Sequence, residues 1–167
     1  FFVYMGDDFL YHPDGHSESK QMLTLMEATG VSAVATCVKK PKADLHRYGV
    51  IRSKSEKDTL LLEEIVEKPA PGTEPSDLVN ISKYLFTPKV FDILQSQTVN
   101  PASGELYITD TLTSLATQDR VAIHIPNGTY LDGGNPLEWL KANVTVALSD
   151  QNLKKPFADF LKQQLEN

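Results

Sequence analysis

The sequence predicts an α/β fold built around an open sheet, and three observations carry that expectation. Residues 1–5, "FFVYM", form an unbroken apolar run that suits a parallel strand covered on both faces. A stretch with helical spacing follows, then the β-rich "VSAVATCV" (31–38), so the first third reads strand, helix, strand. Such a βαβ unit normally builds a parallel sheet. Finally, 167 residues with 41% hydrophobic content suffice for a single domain, residues 1–167, with its own core.

The elements are expected in this order. Residues 17–29 put Met22, Leu23, Leu25 and Met26 at helical spacing, and Gly30 can close that helix. Strands are expected at 47–53, 60–69 and 78–87, separated by the polar turn "KSEKD" and the proline-containing loop 70–77. Thr87 as N-cap and Pro88 at the first helical position then start a helix. Residues 105–118 form a helix with a frayed start, 121–126 alternate like a strand, and "TYLDGG" (129–134) is a short strand entering a glycine turn. Asn135, Pro136 and Glu138 form a capping box for a helix over 135–148, in which Trp139 is expected to be core. A terminal amphipathic helix covers 153–164, with Leu153, Phe157, Phe160 and Leu161 on one face.

Composition narrows the function. A net charge of −6 disfavours general binding to nucleic acid or to an anionic membrane. One phosphorylated small molecule needs only a few local cations and stays open. The single cysteine, Cys37, cannot form an intrachain disulfide and fits a reducing compartment. No apolar stretch approaches the ~20 residues that span a bilayer, so a cytoplasmic location is expected.

Five short stretches could carry chemistry. In "YMGDD" an apolar strand ends in Gly6, Asp7 and Asp8. Open α/β sheets bind ligands beyond the carboxyl ends of their strands, where an acid can hold Mg²⁺. A plain turn capped by an Asp side chain reads equally well. "YLDGGN" repeats that logic with Asp132 just before a helix N-terminus; a Gly-Gly turn is the simpler alternative. In "VEKP", Glu67 could accept hydrogen bonds from vicinal hydroxyls and Lys68 could neutralise a phosphate, or the two could be a solvated pair. Gly49 of "RYGVI" marks either close ligand approach or a bulge. Glu105, Thr109 and Asp110 of "GELYITD" face a ligand or merely begin a helix. The histidines show no metal-ligand spacing, and no nucleophile elbow, Walker loop or zinc motif is present.

Taken in order, "YMGDD", "RYGVI", "VEKP", "NISKYLF", "GELYITD" and "YLDGGNPLEWLKA" resemble the sugar-1-phosphate nucleotidyltransferase family, nearest its bacterial UTP–glucose-1-phosphate uridylyltransferase branch, over nearly all of residues 1–150. The resemblance implies a Rossmann-like nucleotidyltransferase fold with a mixed, mainly parallel central sheet whose N-terminal strands are missing. It implies transfer of a uridylyl group from UTP to glucose 1-phosphate, giving UDP-glucose and pyrophosphate, with Mg²⁺ as cofactor. Asp7 and Asp132 match the metal ligands, and with Lys68 they match the catalytic set. Gly49, Glu67 and Lys68 match sugar- and phosphate-binding positions, and Asn80 and Ile81 are expected to line the sugar pocket. Asp8 is expected to be a turn or supporting residue. The family's Gly-rich triphosphate loop and its base-recognising stretch have no counterpart here. The chain is therefore expected to be the C-terminal portion of such an enzyme, inactive alone, with exposed apolar surface and a homo-oligomeric state. A thymidylyl- or cytidylyltransferase, or a non-catalytic sugar-phosphate-binding or oligomerisation module, is the alternative.

Overall fold

The computed structural model describes residues 1–101 and 103–166. The chain folds into two compact units, where the sequence reading has one domain. The first comprises Phe1–Met5 and Ser19–Pro126; the second comprises Gly6–Glu18 and the residues from Asn127 onward.

The strands, in chain order, are β1 (Phe2–Tyr4), β2 (Asp8–Tyr11), β3 (Ala33–Lys39), β4 (Gly49–Glu56), β5 (Thr59–Glu67), β6 (Leu78–Phe86), β7 (Val121–His124) and β8 (Thr129–Asp132). The helices are α1 (Glu18–Thr29), α2 (Val90–Ser96), α3 (Ile108–Gln118), α4 (Pro136–Ser149) and α5 (Lys154–Leu165). A 3-10 turn at Lys42–Arg47 precedes β4.

The first unit is a six-stranded mixed sheet in the order β1-β6-β3-β7-β5-β4. Apolar residues cover both faces. On one side Tyr84, Phe86, Val90, Leu112 and Leu115 pack with Ala33, Ile51 and Val121. On the other, Met22 of α1 packs with Val34, Leu61, Leu85 and Ala122. Burial on both faces explains why β3 reads as a continuous apolar run.

Four expectations need correction. The sheet is mixed but not mainly parallel: β3–β7 is a parallel ladder, whereas β6 runs antiparallel to β1, β3 and β4, and β5 runs antiparallel to β4 and β7. β1 and β3 do point the same way, as a βαβ unit requires, but β6 lies between them. The run 1–5 is not a doubly covered strand: β1 lies at the end of the strand order, and Phe1, Phe2, Tyr4 and Met5 are exposed within this chain. Thr87 does not cap α2, because its hydroxyl donates to the Ser32 carbonyl at 2.9 Å; Lys89 takes the cap position without a side-chain bond. Trp139 is 55% exposed rather than core.

The second unit is a two-stranded antiparallel ribbon of β2 and β8, together with α4 and α5. The α4 cap is as expected, with Asn135 Oδ1 accepting from the Glu138 N–H at 3.1 Å. α5 is amphipathic in sequence, but none of its residues is fully buried. Among the described residues no helix is long and apolar enough to cross a membrane.

Candidate functional site

Two polar clusters are assembled, one in each unit. In the second unit, Asp7 occupies an exposed turn just before β2, and Asp132 is the last residue of β8. The ribbon register sets Asp8 directly opposite Asp132, which leaves Asp7 next to the Gly133–Gly134 turn. The Gly133 N–H donates to the Asp7 carbonyl at 2.7 Å, and the Gly134 N–H donates to Asp132 Oδ1 at 2.8 Å. A Cβ on Gly134 would stand 3.2 Å from Asp132 Oδ1 and 3.7 Å from Asp7 Oδ2. Both carboxylates therefore border one small space, kept open because residue 134 has no side chain. At Gly133 a Cβ would come within 3.0 Å of the Asp7 carbonyl oxygen, so glycine there spares the turn a tight contact. Asp8 is half-buried and accepts from Tyr130 Oη at 3.2 Å, tying the two strands together.

This donor set suits Mg²⁺. Two carboxylates are hard oxygen ligands, and Mg²⁺ usually takes one or two of them, filling its shell with water and phosphate oxygens. Among the described residues no group of three or more His, Cys, Asp or Glu could hold a metal, so a closed all-protein cage of the structural-zinc type is not built here.

In the first unit, Gly49 opens β4 directly opposite Glu67, the last residue of β5. A Cβ at Gly49 would lie 2.9 Å from both Glu67 Oε2 and Ile65 Cγ2, so the glycine leaves room for the Glu67 carboxylate. Partial burial pushes the Glu67 carboxyl above its usual range; nearby Lys68 opposes this and Asp110 adds to it. The Lys68 N–H donates to the Tyr48 carbonyl at 3.0 Å, and its backbone is left-handed, with φ 45°. That conformation costs of order 1 kcal/mol for a non-glycine residue and often accompanies functional positions.

Asn80 lies on β6 beside a bulge. Between the pairs Ala35↔Tyr84 and Cys37↔Asn80, three residues of β6 face one residue of β3, and Ser82 at the bulge has φ 54°. The bulge brings Asn80 Nδ2 to donate to Tyr84 Oη at 2.6 Å. Asn80 Oδ1 is buried and has no hydrogen-bond partner among the described residues. Tyr84 is fully buried. Burial raises its hydroxyl pKa, hydrogen bonds with Ser82 and Asn80 oppose the rise, and the Glu67 charge adds to it. Ile81 is 1% exposed, so its side chain belongs to the interior. The structure thus groups Asp7 with Asp132, and Gly49, Glu67 and Lys68 with Asn80 by way of Tyr84. From α3, Thr109 reaches the same cluster, its methyl 3.7 Å from where a Gly49 Cβ would stand. Glu105 remains exposed in the preceding loop.

Tyr84 and Ser82 were not among the sequence candidates. The alternation Asn80, Ser82, Tyr84 along a strand otherwise apolar but for Lys83 is the signal that could have found them.

Acids and glycines at the strand ends of an α/β fold are the setting in which such sheets bind ligands. Residues 1–149 match the Nucleotidyl transferase family, and the chain belongs to it. Several relatives and solved structures are similar to it. The UTP–glucose-1-phosphate uridylyltransferase of Staphylococcus epidermidis is 32% identical over 164 residues, covering 98% of this chain and 56% of that protein. The crystal structure of a UDP-glucose pyrophosphorylase complexed with UDP-glucose matches with TM-score 0.79 and 28% identity, over 87% of this chain and 55% of that one. The UTP-bound enzyme from Acinetobacter baumannii shares the fold, with TM-score 0.82 at 24% identity, over 96% of this chain and 55% of that one. The chain spans about half the length of the relatives it matches.

Proposed function

We propose that this chain supplies the metal-binding and sugar-binding parts of an enzyme that transfers a uridylyl group from UTP to glucose 1-phosphate. The observation that carries the reading is the convergence of Asp7 and Asp132, from opposite ends of the sequence, on the space beside Gly134. The relatives named as uridylyltransferases support the choice of nucleotide and sugar.

In this reading Asp7 and Asp132 hold Mg²⁺, which when bound offsets the repulsion between the two phosphorylated substrates and stabilises charge on the transferred phosphoryl group. Lys68 adds a mobile positive charge for the sugar phosphate. Glu67 accepts from sugar hydroxyls, Gly49 admits the sugar close to the backbone, and the unpartnered Asn80 Oδ1 takes a further hydroxyl donor. The attacking phosphate oxygen is already ionised at neutral pH, so no general base is required, and positioning and electrostatics carry the catalysis. The 167 residues contain no Gly-rich triphosphate loop, so this chain alone is proposed to bind UDP-glucose without turning over.

Isothermal titration of the chain with UDP-glucose tests the reading. Binding that requires Mg²⁺, and that Asp7→Ala weakens by about tenfold or more, is expected. Binding that is indifferent to Mg²⁺ and to Asp7→Ala would sink the metal assignment. Exposed Phe9, Leu137, Trp139, Leu140 and Phe160 support the further expectation that the chain self-associates, which light scattering would read as a mass above that of one chain.

A further inference from the structure

The ribbon that holds the acid pair is slight. Its strands, β2 and β8, are four residues each and come from distant parts of the sequence, so no hairpin turn sets their register. Two-stranded ribbons are marginal by themselves. A slip of one residue would carry Asp132 to the opposite face and away from Asp7. Something must hold the end away from the acids.

A joint of hydrogen bonds lies at that end. Glu18 Oε1 accepts from the Asn127 N–H at 3.1 Å and the Gly128 N–H at 3.2 Å, immediately before β8. The same oxygen lies 2.5 Å from Nε2 of His12, the residue immediately after β2. The His12 and Glu18 side chains are only 9% and 10% exposed. Gly128 is part of the joint, because a Cβ there would fall 2.3 Å from His12 Nε2. One carboxylate oxygen therefore gathers the chain leaving β2 and the chain entering β8.

We propose that Glu18 is a positioning residue for the metal pair: by joining His12 to Asn127 and Gly128 it sets the β2–β8 register that brings Asp132 beside Asp7. The metal half of this proposal rests on the reading of Asp7 and Asp132 as Mg²⁺ ligands. Glu18 itself lies at the far end of the ribbon and has no place among those ligands. A carboxylate is apt because one oxygen offers several lone pairs, enough to accept from all three donors at once.

The test titrates the intact chain with Mn²⁺, read by electron paramagnetic resonance and by quenching of Trp139, the chain's one tryptophan. Trp139 Cδ1 lies 3.8 Å from where a Gly133 Cβ would stand. Amide hydrogen exchange at Phe9, Tyr11 and Leu131 is followed in parallel. Glu18→Ala is expected to weaken Mn²⁺ binding about tenfold or more, and to speed exchange in the ribbon by about tenfold or more. Glu18→Gln keeps an acceptor oxygen and is expected to restore both to within about twofold. Should Glu18→Ala fail to fold, His12→Ala, which removes one donor only, is expected to shift both readouts in the same direction by a smaller factor. Mn²⁺ binding and ribbon exchange unmoved by Glu18→Ala, or unmoved by His12→Ala where the first variant does not fold, overturn the positioning role alone. No Mn²⁺ binding by the unaltered chain overturns the metal reading and the positioning role with it.

Discussion

The two polar clusters rest on very different supports. Gly49, Glu67, Asn80 and Tyr84 stand on a six-stranded sheet with apolar residues packed on both faces. Asp7, in the turn before β2, and Asp132, the last residue of β8, rest on a ribbon of two four-residue strands in a unit whose terminal helix buries no residue fully. The first geometry follows from packing, which is insensitive to any one hydrogen bond. The second has little apolar packing, with Leu131 and Ala142 buried, beside a few directional bonds: Gly133 to Asp7, Gly134 to Asp132, Tyr130 to Asp8, and the Glu18 joint. Such differences in local stability are general, and ligand-binding elements are drawn from the weaker end.

Three measurements would break or sharpen this contrast. The largest effect is expected in the sheet unit. Tyr84→Ala removes a fully buried ring and should cost about 3–5 kcal/mol in global stability, read by calorimetry. A cost near that of a surface substitution would remove the packing argument. In the ribbon unit, Asn135→Ala deletes the α4 cap and should cost about 1 kcal/mol, with amide exchange in α4 speeding while β3 stays protected. Uniform acceleration across the chain would mean that the two units open as one.

The smallest effect concerns charge at the edge of the sheet unit. Asp119 accepts from Lys89 Nζ, from Ser32 Oγ at 2.6 Å and from the Arg120 N–H at 2.7 Å. The Lys89 hydrogen bond is the largest of several influences that hold its carboxyl well below the usual carboxylate range. A depressed folded-state pKa stabilises above the ordinary Asp value of ~3.9 and loses that contribution as pH falls below it. Asp119→Asn should therefore destabilise modestly at pH 7, by under about 1 kcal/mol because solvent screens the pair. Thermal melts of the variant and parent should converge in strong acid. A cost that persists there would point to lost packing instead.

Much of the fold was legible because it is periodic. The helix over 17–29, the strand over 60–69 and the Asn135 N-cap are local patterns, and the structure repeats them within a residue or two. The edge position of β1 was not legible, since an apolar run looks the same whether one face or both are covered within this chain. The Thr87 cap was misjudged because its hydroxyl had a competing acceptor, Ser32, that only tertiary folding supplies. In the candidate site, Gly49 and Glu67 stood out as residue types, but their opposition across β4 and β5 depends on strand pairing. Tyr84 was passed over because its hydroxyl matters only once the Ser82 bulge brings Asn80 to it.

By itself, then, the sequence determined most element types, the α4 cap, turns and the short strand-end motifs, because these are set by neighbours within a few residues. Only the tertiary structure decided that β6 runs antiparallel between β1 and β3, that Asp132 meets Asp7, and that Glu18 joins the chain leaving β2 to the chain entering β8. Those facts are contacts between distant residues, chosen by burial and hydrogen-bond pairing over the whole chain, and no local window contains them.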